Sequence, residues 1–244
     1  MFNHPRVKIC GIRSFEDAEA AVGAGAHAIA FNFVRGSRRY LNPEAAREII
    51  LRLPPFVSVV GVFADEPRYS AEEIATFCRL QVLQFHGEET PEYCRRWSYP
   101  VIKAFRLGDD APEAKKGATA FTEWEQLAQE AHEYDVNAYL IDAYCPDALG
   151  GMGRTFDWSK IGGRLRRPLI LAGGLTPNNV GEAIARVRPY GVDVASGVET
   201  GGKKDPLKAA AFVEAARFRT RDDHGYDDHD AKMAEEQSHR LRLR

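Results

Sequence analysis

Short runs of β-branched and aromatic residues alternate with longer, amphipathic, helix-favouring stretches from the first residues to about position 219. This is the pattern of repeated strand–helix units, whose parallel strands are buried on both faces and so read as nearly continuous apolar runs. Eight such runs stand out, at 7–10, 28–33, 57–63, 82–85, 101–105, 138–142, 169–172 and 192–195. Helix starts punctuate the gaps: Ser14 with Asp17 three residues on, Asn42-Pro43, Ser70 with Glu73, and Thr176-Pro177 ahead of NNVGEAIARV. Eight strands each followed by a helix predict an α/β fold that closes into a single (β/α)8 TIM barrel. An open doubly wound sheet would more often show fewer strands and a GxGxxG turn after the first, and no GxGxxG is present there.

Length agrees with that count, since 244 residues is near the roughly 250 typical of one such barrel. The expected division is a catalytic barrel over residues 1–219 and a charged tail over 220–244, where apolar residues are too few to bury a face and disorder is expected. A net charge of −2 gives no basic field to gather nucleic acid, so a small-molecule partner is expected. Neither a signal-peptide core nor a run of roughly 18 apolar residues occurs, and the expectation is a cytoplasmic protein with no membrane partner. Cys10, Cys78, Cys94 and Cys145 lie far apart, without CxxC pairs or zinc-like His spacing, which argues against a metal or disulfide framework.

In barrels of this kind chemistry sits at the C-terminal ends of the strands. The first run ends in Cys10-Gly11, the fourth in His86-Gly87, the sixth in Asp142, the seventh in Gly173-Gly174 and the eighth in Ser196-Gly197. Small residues at the seventh and eighth strand ends suit a phosphate held by backbone N–H groups, although glycines there also serve simply to turn the chain. A thiol at the barrel mouth becomes a general base if nearby positive charge draws its pKa from about 8.5 toward neutrality. Lys8, two residues back on the same face, is a candidate for that tuning or else pairs with a carboxylate inside the barrel. Asp142 follows AYLI, where partial desolvation would raise its pKa and fit it to carry a proton near neutral pH; capping a helix is its other reading. Arg35, Arg38 and Arg39 in VRGSRRYLNP are alternative partners for a carboxylate, and His86 either lines the pocket or is structural.

The ordered set VKICGI, SRRYLNPEAA, VGVFADE, LQFHGEE, IKAF, LIDAY followed by GGMGRTFDW, LAGGLTPNNV and VDVASGVETGGKKD resembles the phosphoribosylanthranilate isomerases over about residues 6 to 219. The resemblance implies a cofactor-free and metal-free Amadori rearrangement in tryptophan biosynthesis, converting N-(5-phosphoribosyl)anthranilate to 1-(2-carboxyphenylamino)-1-deoxyribulose 5-phosphate. It places the general acid on Asp142, the general base on Cys10 and the partner of the anthranilate carboxylate on Arg39. It also places the phosphate on the backbone of Gly174, Ser196 and Gly197, and a pocket position on Asp193.

Three departures accompany the resemblance: Arg13 stands where the family usually has a small Thr, Asn32 where it has an apolar residue, and Val34 to Gly36 alter a Pro-containing loop. All three bear on the pocket mouth rather than on the acid or the base. Two rival readings remain at this point. One is the histidine-pathway isomerase of a related aminophosphoribosyl substrate, or a bifunctional enzyme, although that family carries an aspartate where Cys10 stands. The other is a phosphate-binding barrel without turnover. The expected assembly is a monomer or homodimer.

Overall fold

The computed structural model describes residues 4–107, 123–143, 157–162 and 165–217. Eight parallel strands close in chain order: β1 (Arg6–Cys10), β2 (Ala28–Asn32), β3 (Ser58–Phe63), β4 (Val82–Phe85), β5 (Val101–Leu107), β6 (Ala138–Ala143), β7 (Leu169–Ala172) and β8 (Gly191–Val194). Closure is made by β1 against β8, with Lys8 opposite Asp193. The helices are α1 (Phe15–Gly23), α2 (Pro43–Ile50), α3 (Arg68–Cys78), the single turn α4 (Pro91–Cys94), α5 (Glu123–Ala131), α6 (Val180–Val187) and α7 (Pro206–Arg217). Between β6 and β7 the described residues hold only a short helical turn at Trp158–Lys160. No helix among the described residues is long and apolar enough to cross a membrane.

Strand alternation divides the core into two layers. Ile9, Ile29, Phe31, Phe63, Leu83, Phe85, Ile141 and Leu171 point outward and pack with Ala18, Ala46, Ala75, Ile184 and Phe212 of the helices. Their intervening neighbours fill the barrel in two smaller clusters, one of Ile102, Ala104, Leu140, Ile170 and Ala172, the other of Ala30, Val60 and Val62 with Cys10 against it. Lys8 and Asp193 sit inside as a buried pair 2.8 Å apart. The partner of Lys8 is therefore a carboxylate within the barrel.

Two helix starts are local and follow the sequence reading: Ser14 accepts from the Asp17 N–H at 3.2 Å, and Asn42 accepts from the Ala45 N–H at 2.8 Å with Pro43 in the first turn. Two differ. Helix α3 begins at Arg68 after Pro67, and Ser70 lies within it with its hydroxyl bonded to Glu66 instead of capping. Helix α6 begins at Val180 after Asn179; at Thr176-Pro177 there is a turn, in which the Asn179 side chain accepts from the Thr176 N–H at 2.7 Å. In neither case does a side chain cap the start: Pro67 sets it by its fixed φ, and Asn179 uses its oxygen in the turn before α6.

Candidate active site

Cys10, the last residue of β1, and Asp142, the last but one of β6, lie on the inward side of the barrel, because their neighbours Ile9 and Ile141 face the helices. After Cys10 the chain turns at Gly11, whose φ is +79°. A Cβ on Gly11 would lie 2.2 Å from Arg39 Cδ, so only glycine lets the arginine stem cross beside the cysteine. Arg39 reaches that place from the loop after β2. There Asn32 accepts from the Val34 N–H at 2.8 Å and donates Nδ2–H to Ser37 Oγ at 3.1 Å; Ser37 Oγ in turn accepts from the Arg39 N–H at 3.2 Å. Thus one of the three family departures, Asn32, is built into the support of the Arg39 loop.

The Arg39 guanidinium is held by Glu199, with Nε and Nη2 donating to the two carboxylate oxygens at 2.8 and 2.9 Å. Lys204 Nζ donates to the same carboxylate at 2.8 Å and to the Ala195 carbonyl at 3.0 Å. Burial works against the Glu199 carboxylate, yet the hydrogen bonds from Arg39 and Lys204 outweigh it and bring its pKa to about 2. Glu199 and Lys204 face each other across a hairpin of β9 (Glu199–Thr200) and β10 (Lys203–Lys204), turned at Gly201 and Gly202 with φ of +59° and +77°. The hairpin is tied to the first loop by Asp17, which accepts from the Lys204 N–H at 2.8 Å and from the Arg13 N–H at 3.0 Å. Arg13 spans the mouth, donating to the Arg38 and Gly202 carbonyls. Neither Glu199 nor Lys204 was singled out from the sequence. The available signal was the Gly-Gly pair inside ETGGKK, which reads as a two-residue hairpin placing Glu199 opposite Lys204.

Burial raises the Cys10 thiol above the ordinary cysteine range; Lys8, Lys204 and Arg39 pull it down, Asp193 pushes it up, and the balance stays upward. The expected fall toward neutrality is therefore not found, because burial of the thiol outweighs the pull of the three cations. Lys8 is itself opposed by burial, and Asp193 with Cys10 overcomes this and raises its pKa.

On the opposite side of the mouth His86 Nε2 lies 3.4 Å from Asp142 Oδ2, with 24% and 27% of the two side chains exposed. Gln84 Nε2 approaches His86 Nδ1 at 3.2 Å. The loop carrying His86 is anchored from behind: Glu89 accepts from the Asp65 and Gly87 N–H groups and pairs with buried Lys103 at 3.0 Å. The loops after β7 and β8 meet where a Cβ on Gly197 would strike the Leu175 carbonyl. Ser196 and Gly197 open a short helical turn, whose first N–H groups have no partner within the turn, and Gly174 lies in the adjoining loop with φ of +60°. The structure thus gathers Cys10, Arg39 and Asp193 on one side, His86 and Asp142 on another, and Gly174, Ser196 and Gly197 at a third. A cleft of about 390 Å³ at the other end of the barrel, lined by Phe56, Tyr190 and the strand starts, contains none of the predicted catalytic or substrate-binding residues.

Residues 7–215 match the family model described as N-(5'phosphoribosyl)anthranilate (PRA) isomerase. The chain belongs to the phosphoribosylanthranilate isomerase family. The N-(5'-phosphoribosyl)anthranilate isomerase of Moorella thermoacetica is 51% identical over 87% of this chain and 89% of that protein. The crystal structure of phosphoribosyl anthranilate isomerase from Thermotoga maritima is 40% identical, with a TM-score of 0.72, covering 87% of this chain and 98% of the other. A further isomerase structure, in complex with reduced 1-(o-carboxyphenylamino)-1-deoxyribulose 5-phosphate, is 39% identical with a TM-score of 0.70 and covers 87% and 98% of the two chains.

Proposed function

We propose that this barrel isomerises N-(5'-phosphoribosyl)anthranilate in tryptophan biosynthesis, with Asp142 as general acid and Cys10 as general base. The ligand of the crystallised relative carries a carboxyphenyl group at one end and a phosphate at the other. Here Arg39 answers the first, and the joined loops of Gly174, Ser196 and Gly197 answer the second. Asp142 protonates the furanose ring oxygen, the bond from that oxygen to the anomeric carbon breaks, and the anthranilate nitrogen supplies the electron pair of the Schiff base. The Cys10 thiolate then takes the proton from the sugar C2, giving an enolamine that tautomerises to the aminodeoxyribulose product. His86 lines the pocket beside Asp142, and Asp193 keeps Lys8 in place beneath Cys10. No step calls on a cofactor.

The observation carrying this reading is that Cys10, Arg39 and Asp142, far apart in sequence, converge on one strand-end face in a chain of this family. The barrel over 1–219 carries the activity, and no role is assigned to 220–244, which lie outside the described residues. All residues named come from one chain, so the chemistry is the same for a monomer or a homodimer.

The test generates phosphoribosylanthranilate in situ from anthranilate and activated ribose phosphate, and follows its fluorescence change. Wild type should convert it rapidly, and Asp142→Asn should lose at least about 100-fold. No conversion by wild type would redirect attention to the histidine-pathway substrate, while binding without turnover would support a non-catalytic barrel.

A further inference from the structure

A guanidinium has five N–H donors, and those already engaged decide where a second anion can bind. Glu199 takes one edge of Arg39, using Nε–H and one Nη2–H. The end edge, made by the other Nη2–H and one Nη1–H, makes no hydrogen bond to any described residue, and neither does the remaining Nη1–H on the far side. That free edge forms a second fork of the same geometry, suited to a planar carboxylate. The arginine cannot easily rotate away, since its stem lies against Gly11 and its own N–H is held by Ser37.

Glu199 is itself fixed from three directions. Lys204 Nζ binds its carboxylate, Lys208 Nζ donates to its carbonyl at 2.9 Å, and the hairpin behind it is pinned to Asp17. Lys204 also matters for charge. With Arg39 and Glu199 alone the group would be neutral, whereas the buried Lys204 leaves a net positive charge at the mouth.

We propose that Glu199 is a positioning residue for the substrate carboxylate: by filling one edge of Arg39 it presents the other edge to the anthranilate ring's carboxylate, and Lys204 keeps the assembly attractive to an anion. Glu199 touches no substrate atom itself. This rests on the function proposed above, and it makes Glu199 a partner of substrate binding instead of a competitor that substrate must displace.

The test is a double-mutant cycle on the full-length protein with Glu199→Gln, Arg39→Lys and the double variant, reading kcat and KM separately. Glu199→Gln should raise KM about tenfold and leave kcat within about threefold. In the Arg39→Lys background the same change should raise KM less than about twofold. A lower KM for Glu199→Gln would show a competitor, and an equal factor in both backgrounds would show that Glu199 does not act through Arg39; either result overturns the proposal. A second measurement needs no turnover. The Nε–H resonance of Arg39 in substrate-free protein should be slow to exchange in wild type and fast in Glu199→Gln. Fast exchange in both would remove the positioning role, whereas slow exchange in a wild type without turnover would overturn the functional reading and the carboxylate assignment with it.

Discussion

The two sides of the barrel mouth are built on different plans. On the side of β1, β2 and β8 the charged groups are themselves ion-paired: Arg39 with Glu199, Glu199 with Lys204, and Lys8 with Asp193 at 2.8 Å. On the side of β4 and β6 the buried pair Lys103–Glu89 lies behind the loop, and His86 and Asp142 meet only at 3.4 Å, each about one quarter exposed. The first side is preorganised by charge before any ligand arrives. The second holds its backbone firmly but leaves the Asp142 carboxyl partly open, as its proposed role as general acid requires. In the roles proposed here, the carboxylate-binding Arg39 benefits from fixed charges, while Asp142 as an acid is better held without a cation locked onto it.

The largest expected effect tests the preset side directly. Cys10→Ala should lower kcat by about 10³-fold, within the range for loss of a general base. Because only the thiolate accepts a proton and burial raises the Cys10 pKa, wild-type kcat/KM should climb with pH beyond pH 8. A plateau already reached at pH 7 would show that the free enzyme holds Cys10 as the thiolate, against the upward shift. Next, Lys8→Met strands the buried Asp193 carboxylate and should cost about 3–5 kcal/mol in urea unfolding. His86→Asn, on the open side, should cost no more than about 1 kcal/mol; equal losses would erase the contrast between the two sides. The smallest effect is Ser37→Ala, which removes the oxygen shared by Asn32 and the Arg39 N–H. It should raise KM a few-fold, in keeping with the roughly 1 kcal/mol of one hydrogen bond, with kcat unchanged.

Most of the barrel was legible because its causes are local. Parallel strands packed on both faces leave apolar runs, and the eight observed strands begin and end within two residues of those runs. Ser14 and Asn42 announce their helices through side chains that bond within three residues. Ser70 and Thr176 misled because Pro67 and Asn179, equally close, compete for the same starts. The site divides along the same line. Strand direction alone brings Cys10 and Asp142 to one face, and a Gly-Gly turn is enough to pair Glu199 with Lys204. No periodicity, however, connects Arg39 to Glu199 across 160 residues, or Asp17 to Lys204 across 187. Those contacts exist only once the eighth strand has closed on the first.

That separation sets a timetable. A ribosome adding about 5–20 residues per second places Glu199 roughly 10–30 s after Arg39. Throughout that interval the arginine and the loop around it exist without the carboxylate that orients them. The nascent chain can assemble early strand–helix units, but the anion handle appears only in the final act of closure. The Arg39–Glu199–Lys204 cluster is therefore a property of the finished ring and not of any growing part of it.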